Sequence, residues 1–223
     1  MRLDSDTAVF DRNKYLIGPV LVRSYPQLVT AAAKRGWELI AHNYIQTEFM
    51  INYRDDRAKE RDVIKRVLDL VEKTAGRRPK GWLSSSLRCT VNTSDICKEL
   101  GLTYHCDYMN DEQPYLIKTA HGPLVSIPYT QEANDIGMFL RRNLTADEAF
   151  GLWKDEFDEL YRAGEKSGRI MSIGLHPHIV GRAFRARAIR EFLDYAKKFD
   201  GVWWATRAEI ADWYLQNHQS HIG

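Results

Sequence analysis

Two histidines, His176 and His178, flank Pro177 directly after the apolar run Arg169–Leu175. An imidazole has an unperturbed pKa of about 6.5, so such a residue can pass a proton at neutral pH. His176 is the first candidate for a general acid, against the plain alternative of a solvent-facing loop histidine; His178 would at most orient a neighbour. His42 stands at the end of the apolar segment Trp37–Ala41, as a functional group or as a satisfied strand-end histidine. Asn134 and Asp135 lie shortly after Leu124–Ile127. Asn134 could donate to a substrate carbonyl and Asp135 could accept from an amide or ureido N–H; the alternative is a loop that caps its own backbone. Asp107 and Asp111 follow Leu102–Cys106. Either could be the base that activates a water, if it comes within hydrogen-bond reach, or a surface loop carboxylate.

These residues need a scaffold, and the apolar spacing supplies one. Helices are predicted over Tyr25–Arg35, Asp56–Thr74, Thr93–Leu100, Thr145–Gly164, Arg185–Phe199 and Arg207–Gln216. The second carries its stripe on Val63, Ile64, Val67, Leu68 and Val71 and stops at Gly76. The fourth opens with a capping box, Thr145 to Glu148, and its Phe150, Trp153 and Phe157 read as core. Strands are predicted over Trp37–Ala41, Gly81–Leu83, Tyr104–Tyr108, Leu124–Ile127, Arg169–Leu175 and Val202–Ala205. Alternation of this kind implies a parallel α/β sheet with crossover helices, open or closed into a barrel. His42, Ser84–Ser86, Asp107–Asp111, Asn134–Asp135 and His176 each follow a strand, the end at which βα barrels do their chemistry.

The balance of 32 Lys+Arg against 30 Asp+Glu gives no field of one sign, so neither nucleic acid nor a membrane surface is the expected partner. No apolar run reaches membrane-spanning length and the first residues lack a secretory apolar core, so a cytoplasmic protein is expected. Three cysteines, Cys89, Cys97 and Cys106, form no CxxC and read as free thiols. No repeat or linker divides residues 1–223, which read as a single domain.

The spaced set Ala41–Gln46, Arg77–Trp82, Cys106–Tyr115, Ser126–Asp135 and Met171–Arg182 resembles the polysaccharide-deacetylase, or NodB-homology, superfamily. It is most similar to the branch that holds the metal-independent allantoinases. The likeness runs from about Pro19 to Tyr214 and implies a distorted (β/α) barrel. It also implies a hydrolase of amide-type, non-peptide C–N bonds, acting on a small amide, a ureido compound or an N-acetyl sugar of carbohydrate metabolism. Water would attack a carbonyl carbon. His176 would be the general acid toward the leaving nitrogen, and Asp107 or Asp111 would lie in the family's acidic cluster. His42, Asn134, Asp135 and Trp82, the last as a pocket wall, would bind substrate.

Two departures shape the expectation. In the metal-dependent branch an Asp and two His hold a divalent metal, but Gln46 stands where the second His belongs. Gln is a poor zinc ligand, so no cofactor is expected, with a divalent metal such as zinc as the alternative. The family also begins with a strand bearing an acidic motif, whereas Phe10-Asp11-Arg12 better matches a later segment. The first strand is therefore read as absent and the barrel as incomplete, since such barrels usually take about 250 residues. Open strand edges then lead to the expectation of a homo-oligomer. The rival reading is a non-catalytic relative that binds a ligand or a partner chain without turnover.

Overall fold

Short strands joined by amphipathic helices can lie parallel only if each connection crosses back over the sheet. The computed structural model, which describes residues 15–17, 19–45 and 47–220, shows this arrangement. Strands β1 (Tyr15–Ile17), β2 (Leu39–His42), β3 (Gly81–Leu83), β4 (Tyr104–His105), β5 (Tyr115–Thr119) and β6 (Gly122–Ser126) form one sheet in the order β1-β2-β3-β4-β6-β5. All neighbours are parallel except β5 and β6, which are an antiparallel hairpin. The crossovers are α1 (Pro19–Ser24) with α2 (Pro26–Lys34), then α3 (Arg57–Ala75), then α4 (Thr93–Glu99). Further on lie α5 (Ala146–Gly164), α6 (Pro177–Val180), α7 (Ala183–Ala196) and α8 (Arg207–Asn217).

The chain divides into two compact units. The first comprises the described residues of Met1–Tyr108, Pro114–Ile127 and Ala205–Gly223. Its core is built on the predicted stripe of α3, where Val63, Ile64, Val67, Leu68 and Val71 are buried with Trp82 and Ile96. The ends of α3 follow their sequence signals: Asp56 accepts the Lys59 N–H at 3.0 Å, and Gly76 takes φ 73°. The sheet register sets His42 beside Leu83 and Trp82 beside His105. Strands β3 and β4 approach so closely that a Cβ on Gly81 would lie 2.0 Å from the Tyr104 ring.

The second unit comprises Met109–Gln113 and Pro128–Trp204. Here α5 starts with the predicted capping box, in which Glu148 N–H donates to Thr145 Oγ1 at 3.2 Å and Thr145 N–H to Glu148 Oε2 at 2.8 Å. It packs on α7 through aromatic edges, with Phe157 and Trp153 each 6.1 Å from Phe192 between ring centroids. Trp153 is fully buried and Phe157 nearly so, while Phe150 is half-buried.

Two expected strands differ. Arg169–Leu175 forms no strand; among the described residues it makes one parallel bridge, Gly174 to Asn134. Val202–Ala205 is not part of a strand among the described residues, and Trp203 is 57% exposed. The β5–β6 hairpin was not expected. Among the described residues no helix is long and apolar enough to cross a membrane.

Candidate active site

In the second unit, the chain enters α6 through His176, whose extended backbone (φ −119°, ψ 121°) is the conformation that Pro177 imposes on the residue before it. Pro177 suits a first helical position because its missing N–H would have had no partner there. His176 therefore presents both its backbone N–H and its ring at one point, and Asp135 takes both. Asp135 Oδ2 accepts the His176 N–H at 2.6 Å, and Oδ1 accepts from Nδ1 at 2.6 Å. Asp135 is wholly buried, whereas the His176 side chain keeps 28% of its exposure. Burial of a carboxylate is tolerable when charge-assisted hydrogen bonds replace water. A proton fixed on Nδ1 leaves Nε2 to exchange protons with a substrate.

The neighbours of this pair hold it in place. Asn134 Oδ1 accepts the Ile136 N–H at 3.0 Å, so it does cap its own loop, while Nδ2 points to the Tyr129 hydroxyl at 3.3 Å. Both crowd Gly174: a Cβ there would lie 2.3 Å from Asn134 Nδ2 and 2.7 Å from the Tyr129 hydroxyl oxygen. His178 is exposed, with its ring 5.9 Å from that of His176. Asp111 is also exposed, and its Oδ1 accepts the Gln113 N–H at 3.0 Å in an Asx turn.

In the first unit the polar residues sit at the carboxyl ends of β2, β3 and β4. His42 Nδ1 bonds to the Leu83 carbonyl oxygen, which can only accept, so Nδ1 carries the proton. The opposite nitrogen, Nε2, lies 3.3 Å from Ser85 Oγ. Asn43 Oδ1 accepts the Ser85 N–H at 2.9 Å, and Asp107 Oδ1 accepts the Ser84 N–H at 2.6 Å. Asp107 Oδ2 faces His105 Nε2 at 2.8 Å, both side chains wholly buried. Burial acts to raise the Asp107 carboxyl, but His105 and the Ser84 amide outweigh it and hold the group below the ordinary carboxylate range. Trp82 is fully buried, and its indole N–H donates to Ser84 Oγ at 2.9 Å. Its ring is thus a core element under the β3 turn. Burial, aided by the charge of Asp107, pushes the Cys89 thiol up to about 12, unlike an activated nucleophile.

The structure therefore groups Asn134, Asp135 and His176 in one unit, and His42, Trp82 and Asp107 in the other. Sequence reasoning missed Tyr129, Ser94 and His105, and gave Ser84–Ser86 no role. His105 and Asp107 are two apart on an extended segment, which puts both side chains on one face; that spacing was the available signal.

Both nitrogens of His42 face hydrogen-bonding partners. Among the described residues no group of three or more His, Cys, Asp or Glu is placed to hold a metal. Gln46 lies outside the described residues.

Similarity to known proteins places the chain. A probable polysaccharide deacetylase from Pseudomonas aeruginosa PAO1 superposes with a TM-score of 0.83 at 30% identity, over 94% of this chain and 70% of that one. The PuuE allantoinase gives 0.80 at 30% identity, over 91% and 67%. A Schizosaccharomyces pombe protein bearing the polysaccharide-deacetylase name is 29% identical over 217 residues, 88% of this chain. The chain spans 66% of the length of that relative. No protein-family model matches. The chain belongs to the polysaccharide-deacetylase family, and its α/β architecture is of that family's distorted-barrel type.

Proposed function

We propose that this chain hydrolyses an amide-type C–N bond other than a peptide bond, in a small amide or ureido compound or an N-acetyl sugar. The observation that carries the reading is the double hold of Asp135 on His176. An imidazole whose Nδ1–H is committed to a buried carboxylate is locked in one tautomer, and the carboxylate stabilises the imidazolium without taking its proton. His176 Nε2 takes a proton from the attacking water as its oxygen bonds to the carbonyl carbon. It then returns that proton to the nitrogen as the C–N bond breaks, giving a carboxylic acid and an amine, and the acid's remaining proton then passes to the amine or to water. Both named classes of relative, deacetylase and allantoinase, support a C–N bond as the target. No step is routed through a metal.

The test is hydrolysis of a panel of allantoin, hydantoin-type rings and N-acetyl oligosaccharides, with metal content measured on the same protein and His176→Ala as the control. Turnover that disappears in His176→Ala supports the reading. Turnover that survives in that variant, or a folded chain inert on the whole panel with and without zinc, overturns it.

A further inference from the structure

The first unit holds a run of buried polar groups that the hydrolytic reading leaves unused. It begins at the Tyr108 hydroxyl, 3.3 Å from Ser94 Oγ, which is 3.0 Å from His105 Nδ1. His105 Nε2 faces Asp107 Oδ2 at 2.8 Å, and Asp107 Oδ1 accepts the Ser84 N–H at 2.6 Å. The next residue, Ser85, meets His42. His105 is 0% exposed and Asp107 4%. A charge-bearing pair buried this deeply is costly unless geometry compensates it, and removing one partner is far more damaging than lacking both.

The backbone shows what the pair holds. The turn that leaves β3 runs through Ser86 and Leu87, both at positive φ (55° and 59°), although neither is glycine. Such a backbone is costly and persists only where its surroundings over-determine it. Asp107 on the Ser84 N–H and Asn43 on the Ser85 N–H are among the side-chain bonds that pin this turn. The turn in turn sets two partners of His42: the Leu83 carbonyl that fixes the proton on Nδ1, and the Ser85 hydroxyl at Nε2.

We propose that Asp107 and His105 are positioning residues, a buried pair that fixes the β3 exit turn and through it the tautomer and aim of the His42 ring. Asp107 then acts through His42 rather than on the attacking water. His42, with its Nε2 lone pair turned to a hydroxyl, is a group that accepts from a substrate or water. Its catalytic use rests on the hydrolase reading; its tautomer does not.

The experiment is imidazole NMR on the unliganded, 15N-histidine-labelled chain at neutral pH, with signals assigned from His42→Gln and His176→Gln. The wild-type chain is expected to show His42 protonated at Nδ1 and bare at Nε2. In Asp107→Asn, His42 is expected to become a mixture of tautomers while His176 keeps its own signature. Ser94→Ala, a milder change at the other side of His105, should move His42 in the same direction by less, and it serves where Asp107→Asn does not fold. Where turnover is found, Asp107→Asn should lower kcat about tenfold or more with little change in KM. A single His42 tautomer that survives in the folded variants, with only the melting temperature lowered, overturns the proposal. So does an Asp107→Asn chain that loses all turnover with His42 unmoved, since that result makes Asp107 the base itself. A chain without any turnover but with the His42 change sinks the hydrolase reading and leaves the positioning role standing.

Discussion

Asp135 holds His176 at two points, ring nitrogen and backbone N–H, each at 2.6 Å. One bond alone would leave the ring free to swing about the chain, or the chain free to carry the ring away. Two bonds from one rigid carboxylate fix the ring relative to its own backbone. The carboxylate is itself set by the chain entering the helical turn Ile136–Arg141, so short-range structure fixes both partners.

Asp135→Asn tests this directly. Asn is nearly isosteric, but its amide N–H2 placed toward either the ring or the backbone N–H removes one acceptor. The ring is then pushed toward the opposite tautomer or released. Turnover is expected to fall about 10²–10⁴-fold, mostly in kcat. Steady-state kinetics on any substrate of the panel gives the answer, and circular dichroism shows whether the fold is retained.

Gly174→Ala should disturb the same site from behind. The new Cβ would lie 2.3 Å from Asn134 Nδ2 and 2.7 Å from the Tyr129 hydroxyl, so those groups or the strand must shift. Overpacking of this kind costs about 1–3 kcal/mol. Gly151→Ala is the control: it lies within α5 with nothing within 4 Å of a Cβ, and should be neutral or stabilising by up to about 1 kcal/mol. Thermal melts of the two variants should separate in opposite directions.

The elements with local signals were legible. Helix α3 begins at Asp56 and ends at Gly76, and α5 begins at the Thr145–Glu148 box, because cap and stop residues act within a few positions. The β5–β6 hairpin was not, since Tyr115–Thr119 is half-exposed on both faces and its turn lacks an Asn-Gly or Asp-Gly pair. Asn134, Asp135 and His176 stood out by type and by position after apolar runs. What could not be read was the pairing: Asp135 and His176 are 41 positions apart, and so are His42 and Leu83. His105 was hidden for a different reason. It lies inside an apolar strand, where a histidine reads as packing unless it is taken together with the carboxylate two residues on, Asp107.

Cys89 should behave as an unreactive thiol. Burial and the Asp107 charge push it up to about 12, and Cys97 and Cys106 are buried outright. Alkylation of the folded chain, followed by mass spectrometry, should label the three thiols slowly up to about pH 9, against a free cysteine pKa of about 8.5. Unfolding should expose all three at once. Rapid single labelling at neutral pH would instead mark an activated cysteine.

The acid limb of stability should carry the signature of Asp107. Its carboxyl is held below the ordinary range in the folded chain, so in the unfolded chain, at about 3.9, it binds protons more readily. The unfolded state then gains protons first as the pH drops. The stabilisation from ionised Asp107 is fully present above about pH 4 and is lost as the pH falls through the lower folded value. Glu38 and Glu60 work the other way: burial raises both, so each weakens the fold as the pH rises above the unfolded glutamate value of about 4.3. These contributions overlap in the wild-type curve, but they cancel when wild type is compared with Asp107→Asn. The deficit of the variant should therefore shrink below about pH 4. Urea midpoints measured in that range decide it: a deficit that stays the same down to about pH 2 would mean that the ionised carboxylate contributes nothing beyond its shape.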